Sequence, residues 1–127
     1  MNNKSICVVG AGYWGKNHIR VLNELRCLGG IVDSNQDVLN RFANQYPDVK
    51  GYLSISQALK EKTIQGFTVA TPAETHYALG RQIIKSGKHL LVEKPLTLTK
   101  KHAEDLVRLS EDNNVNLMVG HLLLFHP

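Results

Sequence analysis

Residues 6–15 read ICVVGAGYWG, and this stretch decides the fold. The apolar run over residues 6–9 predicts a buried strand, because a parallel strand covered on both faces is apolar throughout. Gly10 then turns the chain tightly off the strand, Gly12 lets the backbone approach a bound phosphate, and Gly15 lets the next helix pack closely on the sheet. The stretch therefore predicts a strand, a glycine turn and a helix.

An acidic residue follows a second apolar run, GIV at residues 30–32. Asp33 lies about twenty residues past the glycine turn, where a carboxylate accepts hydrogen bonds from the ribose hydroxyls of a dinucleotide. Tyr13 and Trp14 belong to the turn itself, where the N–H of Trp14 matters more than its ring. The helix start offers free N–H groups and partial positive charge to phosphates. These features predict a dinucleotide site, with an S-adenosylmethionine site as the alternative.

Composition and charge are those of an ordinary soluble globular protein. The chain has 127 residues, 43% of them hydrophobic and 20% charged, with a net charge of +4. Its basic residues form no stripe interleaved with aromatic residues, so we expect no nucleic-acid partner. Cys7 and Cys27 lack metal or redox spacing, so we expect them to be buried structural thiols in a reducing compartment. The spacing of His121 and His126 is poor for zinc, so no metal site is expected.

The sequence shows no signal peptide and no apolar run of transmembrane length, so we expect a cytoplasmic protein without a membrane partner. Strands and helices alternate along the chain. The predicted strands lie at residues 6–9, 30–32, 51–53, 66–70, 89–92 and 117–119. The predicted helices lie at residues 17–26, 38–46, 56–62, 75–86 and 100–113. This order predicts an α/β fold with a doubly wound, mainly parallel sheet of the Rossmann type, in one domain over residues 1–127.

Two further motifs follow predicted strands. Residues 70–76 read ATPAETH, and residues 87–95 read GKHLLVEKP. Doubly wound sheets bind ligands at the carboxyl ends of their strands, where both motifs fall. Together with the glycine turn, and in this order, the motifs resemble those of the Gfo/Idh/MocA oxidoreductase family. The resemblance covers essentially the whole chain but only the N-terminal cofactor domain of the family.

The resemblance implies an NAD(P)-dependent oxidoreductase that transfers a hydride between the cofactor and a hydroxyl of a sugar, a cyclitol or a nucleotide sugar. It also implies that Thr71 and Pro72 line the cofactor groove and that His76 lies near the cofactor. Glu93 would contact the nicotinamide end of the cofactor, and His121 would face the nicotinamide. All of these residues are therefore candidate cofactor-binding residues.

Lys94 is the candidate catalytic residue. The resemblance implies a hydrogen bond from this lysine to the reacting substrate hydroxyl. A cation at that place stabilises alkoxide character as the hydride leaves, and a partly desolvated lysine can join a proton relay. Taken without the resemblance, Lys94 reads as a solvated loop lysine, Glu93 as the partner of a neighbouring lysine, and His76 as a helix-start residue bonded to its own backbone.

Asp33 favours NAD over NADP, because a carboxylate repels a 2′-phosphate. Ser34 and Asn35 come next, and neither holds a phosphate as an arginine would, while Arg41 lies on the following helix. The resemblance implies that a C-terminal substrate domain is absent from this chain. That domain supplies the substrate pocket and commonly the homo-oligomer interface in the full-length protein, so we expect the chain alone to bind cofactor without turnover.

A second hypothesis is a stand-alone dinucleotide-binding or redox-sensing module without catalytic activity. The apolar residues 122–125 would then be an adhesive edge for a partner. A methyltransferase is disfavoured, because it does not explain the sequence EKP at residues 93–95.

Overall fold

A computed structural model describes residues 4–120, apart from the side chains of Tyr13 and Trp14. The strands in this part of the chain are β1 (Ile6–Val9), β2 (Leu28–Val32), β3 (Lys50–Tyr52), β4 (Gly66–Val69), β5 (His89–Glu93) and β6 (Leu117–Gly120). The helices are α1 (Tyr13–Glu24), α2 (Gln36–Gln45), α3 (Ile55–Leu59), α4 (His76–Lys85) and α5 (Lys100–Asp112). A short 3₁₀ turn, Ala73–Thr75, precedes α4.

The strands form one sheet in the order β3-β2-β1-β4-β5-β6. Every neighbouring pair is parallel, so the predicted doubly wound α/β fold is confirmed and the sheet is parallel throughout. The strand order reverses between β1 and β4. Helices after the two strands leave in opposite directions at such a point, and the crevice between them is where doubly wound sheets bind ligands.

The core lies on both faces of the sheet, which explains why the strands are apolar without alternation. Val8 of β1 packs in one cluster with Ile19 of α1, whereas its neighbours Cys7 and Val9 pack in the other. The second cluster also holds the central Phe67 of β4, which is 1% exposed. Burying a side chain of this size contributes about 1.5–3 kcal/mol to stability.

Two helix ends follow from their local sequence. Asn35 caps α2, its side chain accepting hydrogen bonds from the N–H groups of Asp37 and Val38. Gly87 ends α4 with a φ of +78°, a conformation that glycine adopts at little cost. The first helix differs from the prediction, since it begins at Tyr13 rather than at residue 17. No helix within residues 4–120 combines the length and apolar character needed to cross a membrane.

Candidate functional site

Two of the three glycines in the turn after β1 are required by the protein's own packing. Gly10 has a φ of +93°, and its N–H donates to the Val32 carbonyl at 2.8 Å. A Cβ on Gly10 would lie 2.8 Å from Cγ2 of Thr71, and a Cβ on Gly15 would lie 1.8 Å from the Gly10 carbonyl oxygen. These glycines let β1, α1 and the end of β4 approach closely.

Gly12 has a different environment. A Cβ built on Gly12 would have no protein atom within 4 Å, so the packing does not require a glycine there. Gly12 is the N-cap residue of α1, no side chain caps this helix, and its first turn carries no acidic residue. The first N–H groups of a helix have no intrahelical acceptor. The open space at Gly12 and these N–H groups therefore suit a phosphate.

Asp33 follows β2 and is held from both sides by backbone. Its Oδ2 accepts a hydrogen bond from the Ala11 N–H at 3.0 Å, and its Oδ1 accepts one from the Asn35 N–H at 2.9 Å. A carboxylate has further lone pairs on each oxygen. The half-buried Asp33 therefore has a fixed orientation beside the glycine turn and keeps acceptor capacity for ligand hydroxyls.

Among the described residues, Asp33 lines two clefts. The first has a volume of about 230 Å³ and is lined by Val9, Gly10, Val32, Asp33, Ser34, Leu53, Ser54, Ile55, Thr71 and Leu79. It lies at the carboxyl ends of β1, β2 and β4, with a wall from the start of α3 that the sequence did not indicate. The second, of about 560 Å³, is lined by Ala11, Gly12, Lys16, Asp33, Val38, Arg41, Phe42 and Gln45. It places two cationic side chains, Lys16 and Arg41, near the carboxylate.

The segment after β4 is ordered by side-chain hydrogen bonds. The Thr75 hydroxyl donates to the Pro72 carbonyl at 2.6 Å, and the hydroxyl oxygens of Thr71 and Thr75 are 2.6 Å apart. Because the Thr75 proton is used, the Thr71 hydroxyl is the donor of this second bond. Thr71 lines the smaller cleft, and Pro72 is exposed beside it.

His76 is 1% exposed, although it starts α4 at the edge of the sheet. Its Nε2 lies 2.9 Å from the Thr71 carbonyl oxygen, and its Nδ1 lies 2.8 Å from the Pro95 carbonyl oxygen. The ring thus bonds not only to its own segment but also across to the segment after β5. Protein carbonyls occupy both ring nitrogens, so neither nitrogen is free to bond the cofactor. A direct contact between His76 and the cofactor stays a prediction.

The segment after β5 holds the remaining candidates. Glu93 is half-buried and contacts Nε2 of His18, so its partner is a histidine of α1 and not a neighbouring lysine. The Lys94 N–H donates to the Gly120 carbonyl at 3.3 Å, and the Lys94–Pro95 peptide is cis. Within residues 4–120, no hydrogen-bond or ion-pair partner engages the exposed Lys94 ammonium. It is therefore available to a ligand at this edge of the sheet.

His18 is a site residue that the sequence does not indicate, since taken alone it is a structural or surface histidine. A usable signal exists: His18 comes one helical turn after Gly15, which places it on the side of α1 that faces the sheet. His121 lies outside the described residues, as do the side chains of Tyr13 and Trp14, whose backbone forms the first turn of α1.

Comparisons with known proteins agree with this arrangement. Residues 4–121 match the family model GFO_IDH_MocA, described as an oxidoreductase family with an NAD-binding Rossmann fold. The UDP-N-acetylglucosamine 3-dehydrogenase of Acidithiobacillus ferrooxidans is 28% identical over 120 residues, covering 94% of this chain and 37% of that enzyme. The scyllo-inositol 2-dehydrogenase (NADP(+)) of Bacillus subtilis is 30% identical over 101 residues, covering 80% of this chain and 27% of that enzyme.

Among solved structures, GenD2 from gentamicin A biosynthesis, in complex with NAD, superposes with a TM-score of 0.92 at 31% identity. The match covers 100% of this chain and 37% of GenD2. The chain therefore spans only a little over a third of the length of this protein and of the first curated relative.

Proposed function

The chain belongs to the Gfo/Idh/MocA oxidoreductase family as an NAD-binding Rossmann domain, and we propose that it is the cofactor half of a dehydrogenase acting on a sugar, cyclitol or nucleotide-sugar hydroxyl. One observation carries the proposal. The open turn at Gly12, the fixed carboxylate of Asp33 and the exposed ammonium of Lys94 follow β1, β2 and β5, whose carboxyl ends lie along one edge of the sheet. The two curated relatives, a UDP-N-acetylglucosamine 3-dehydrogenase and a scyllo-inositol 2-dehydrogenase, support the substrate class.

The phosphate and ribose end of the cofactor would be bound around the glycine turn. Gly12 leaves room for the pyrophosphate, and the N–H groups of Tyr13 and Trp14 donate to its oxygens. Asp33 accepts hydrogen bonds from the ribose hydroxyls, which favours NAD, because a 2′-phosphate would bring like charge to the carboxylate. Thr71 and Pro72 line the groove between the two ends of the cofactor.

The nicotinamide end would lie beside the segment after β5. When bound, the nicotinamide supplies the hydride acceptor of the reaction. Lys94 then donates a hydrogen bond to the substrate hydroxyl oxygen and stabilises its alkoxide character in the transition state. Glu93, held by His18, borders this end of the groove. His121 facing the nicotinamide is part of the same proposal.

The proposal has three further parts: the full-length protein has a separate substrate domain, it forms a homo-oligomer, and it is located in the cytoplasm. The first is supported by the share of each relative that the chain covers, 37% in the A. ferrooxidans enzyme. The location is supported by Cys7 and Cys27, which are free thiols of the kind a reducing compartment maintains. Cys7 is buried, as predicted, whereas Cys27 is only half-buried, so that prediction was wrong for Cys27.

Isothermal titration of the purified chain with NADH, NADPH and S-adenosylmethionine tests the cofactor assignment. We expect NADH to bind, NADPH to bind more weakly and S-adenosylmethionine not to bind. Lys94→Met is the matched variant, because it removes the ammonium at the substrate end and should leave NADH affinity within about twofold, since an exposed charge contributes little to binding. Binding of S-adenosylmethionine alone, by a chain that is folded by circular dichroism, would contradict the proposal.

A further inference from the structure

We propose that His18 and His76 form a histidine clamp that positions Lys94 by holding the residue on each side of it. His18 contacts the Glu93 side chain from α1, and His76 contacts the Pro95 carbonyl from α4. The clamp itself follows from contacts within this chain. Only the catalytic role of Lys94 rests on the proposed function.

His76 joins two segments that follow neighbouring strands. Its two ring nitrogens lie 2.9 Å and 2.8 Å from the carbonyl oxygens of Thr71 and Pro95, after β4 and β5. Carbonyl oxygens only accept hydrogen bonds, so both bonds form together when both ring nitrogens carry a proton. At 1% exposure, the ring is shielded from water that would compete for these carbonyls. Removing it leaves two carbonyls without their partners.

His18 holds the other side of the lysine. It lies on α1, the helix whose N-terminus faces the proposed phosphate site, and contacts Glu93 at the end of β5. The His18 and Glu93 side chains are only 11% and 17% exposed, which favours a persistent contact over a solvent-screened pair. This contact ties the phosphate-binding helix to the strand that ends next to Lys94.

The lysine itself depends on these neighbours. Within residues 4–120, the hydrogen bond of Lys94 is made by its backbone N–H, whose nitrogen lies 3.3 Å from the Gly120 carbonyl oxygen. Its side chain lacks a protein partner within residues 4–120, so the direction in which the ammonium points follows from the backbone between Glu93 and Pro95. The clamp fixes that backbone without occupying the ammonium.

Amide hydrogen exchange of the full chain, read residue by residue by NMR, tests the clamp. The informative probes are the N–H of Lys94, bonded to Gly120, and the N–H of Thr75, bonded to the Pro72 carbonyl. His76→Ala should accelerate exchange at both probes about tenfold or more, because each segment loses its tie and opens locally. His18→Ala should accelerate exchange at Lys94 but not at Thr75.

His89→Ala is the matched control. The side chain of His89, at the start of β5, also bonds a backbone group by accepting from the Asn116 N–H, but it lies at the opposite end of this strand from Glu93. It should change neither probe. Added imidazole should restore slow exchange in His76→Ala, because its ring carries an N–H donor, whereas N-methylimidazole, which has no N–H when neutral, should not. A general loss of packing would show neither this selectivity nor this rescue.

A folded His76→Ala chain with unchanged exchange at Lys94 would overturn the clamp. If this variant does not fold, the native chain decides: a ring N–H proton of His76 that is bonded to a carbonyl should exchange slowly with water, and fast exchange would overturn the proposal equally. NADH titration of the same samples separates the two proposals. If the variants show the expected exchange pattern but the native chain binds no NADH, the clamp is supported and the proposed function is contradicted.

Discussion

Asp33 is the residue on which cofactor choice depends. Replacing it with alanine should raise the dissociation constant of NADH about tenfold or more, because hydrogen bonds to a charged group contribute about 1.5–3 kcal/mol. The affinity for NADPH should fall less or rise, since the charge facing its 2′-phosphate is gone while Lys16 and Arg41 remain in the adjoining cleft. Isothermal titration measures both, with the exposed Asp48→Ala as the control. Equal losses for the two cofactors would speak against this role.

Single residues with a local signature could be predicted from the sequence, whereas their distant partners could not. The Asn35 side chain caps α2 by accepting from N–H groups only two and three residues away, which a local sequence pattern can indicate. His18 and Glu93 are 75 residues apart, and no short-range pattern indicates their contact. His76 was predicted near the site for its motif, but its bond to Pro95 depends on the adjacency of β4 and β5 in the sheet.

In the glycine turn and α1, one substitution should affect mainly stability and another mainly cofactor binding. Gly15→Ala would place a Cβ 1.8 Å from the Gly10 carbonyl oxygen and should lower the free energy of unfolding by about 3 kcal/mol or more, since backbone must shift. Gly12→Ala meets no protein atom within 4 Å and should leave stability within about 0.5 kcal/mol. Urea unfolding of both variants measures the difference.

The same pair of variants should respond differently to cofactor. Gly12→Ala puts a methyl group where the phosphate is expected and should weaken NADH binding at least tenfold in an intact fold. A Gly12→Ala chain that binds NADH as the native chain does would contradict the assigned phosphate position. At the element scale, the sequence analysis missed the first turn of α1 because apolar spacing begins only at Ile19, while the preceding residues serve the turn and not the core.

Across the whole molecule, the core limits stability at alkaline pH. Burial, together with the nearby charge of Glu61, raises the pKa of Tyr52 to about 12, and burial also raises the pKa of the Cys7 thiol. Both groups favour their neutral, protonated forms in the folded state. Below the ordinary pKa values of about 8.5 for Cys and about 10 for Tyr, both groups contribute fully to the free energy of unfolding. That contribution declines as the pH rises above these values and through the higher pKa values of the folded state.

Tyr52→Phe should remove the part of this decline that Tyr52 causes. Between about pH 10 and pH 12, the native chain should lose up to about 2 kcal/mol more stability than the variant. Thermal unfolding followed by circular dichroism across this pH range measures the difference, with the half-buried Tyr46→Phe as the control. A variant whose stability declines as steeply as that of the native chain would show that Tyr52 is not responsible.

The chain as a whole should bind cofactor without completing a reaction. The proposed substrate pocket belongs to a separate domain, so the purified chain should show no steady-state reduction of NAD with UDP-N-acetylglucosamine or scyllo-inositol. Absorbance at the NADH band measures this directly. A sustained rate that disappears in Lys94→Met would mean that the chain itself holds a substrate site.

The central claim is that the carboxyl edge of β1, β2, β4 and β5 holds a nicotinamide dinucleotide, and ¹⁵N-resolved NMR of the chain titrated with NADH tests it most directly. We predict saturable shifts in the amides of Gly12, Asp33, Thr71 and Lys94, with the amide of Asn116, at the opposite edge of the sheet, unchanged. Shifts confined to other surfaces, or no shifts at millimolar NADH in a folded chain, would contradict the account.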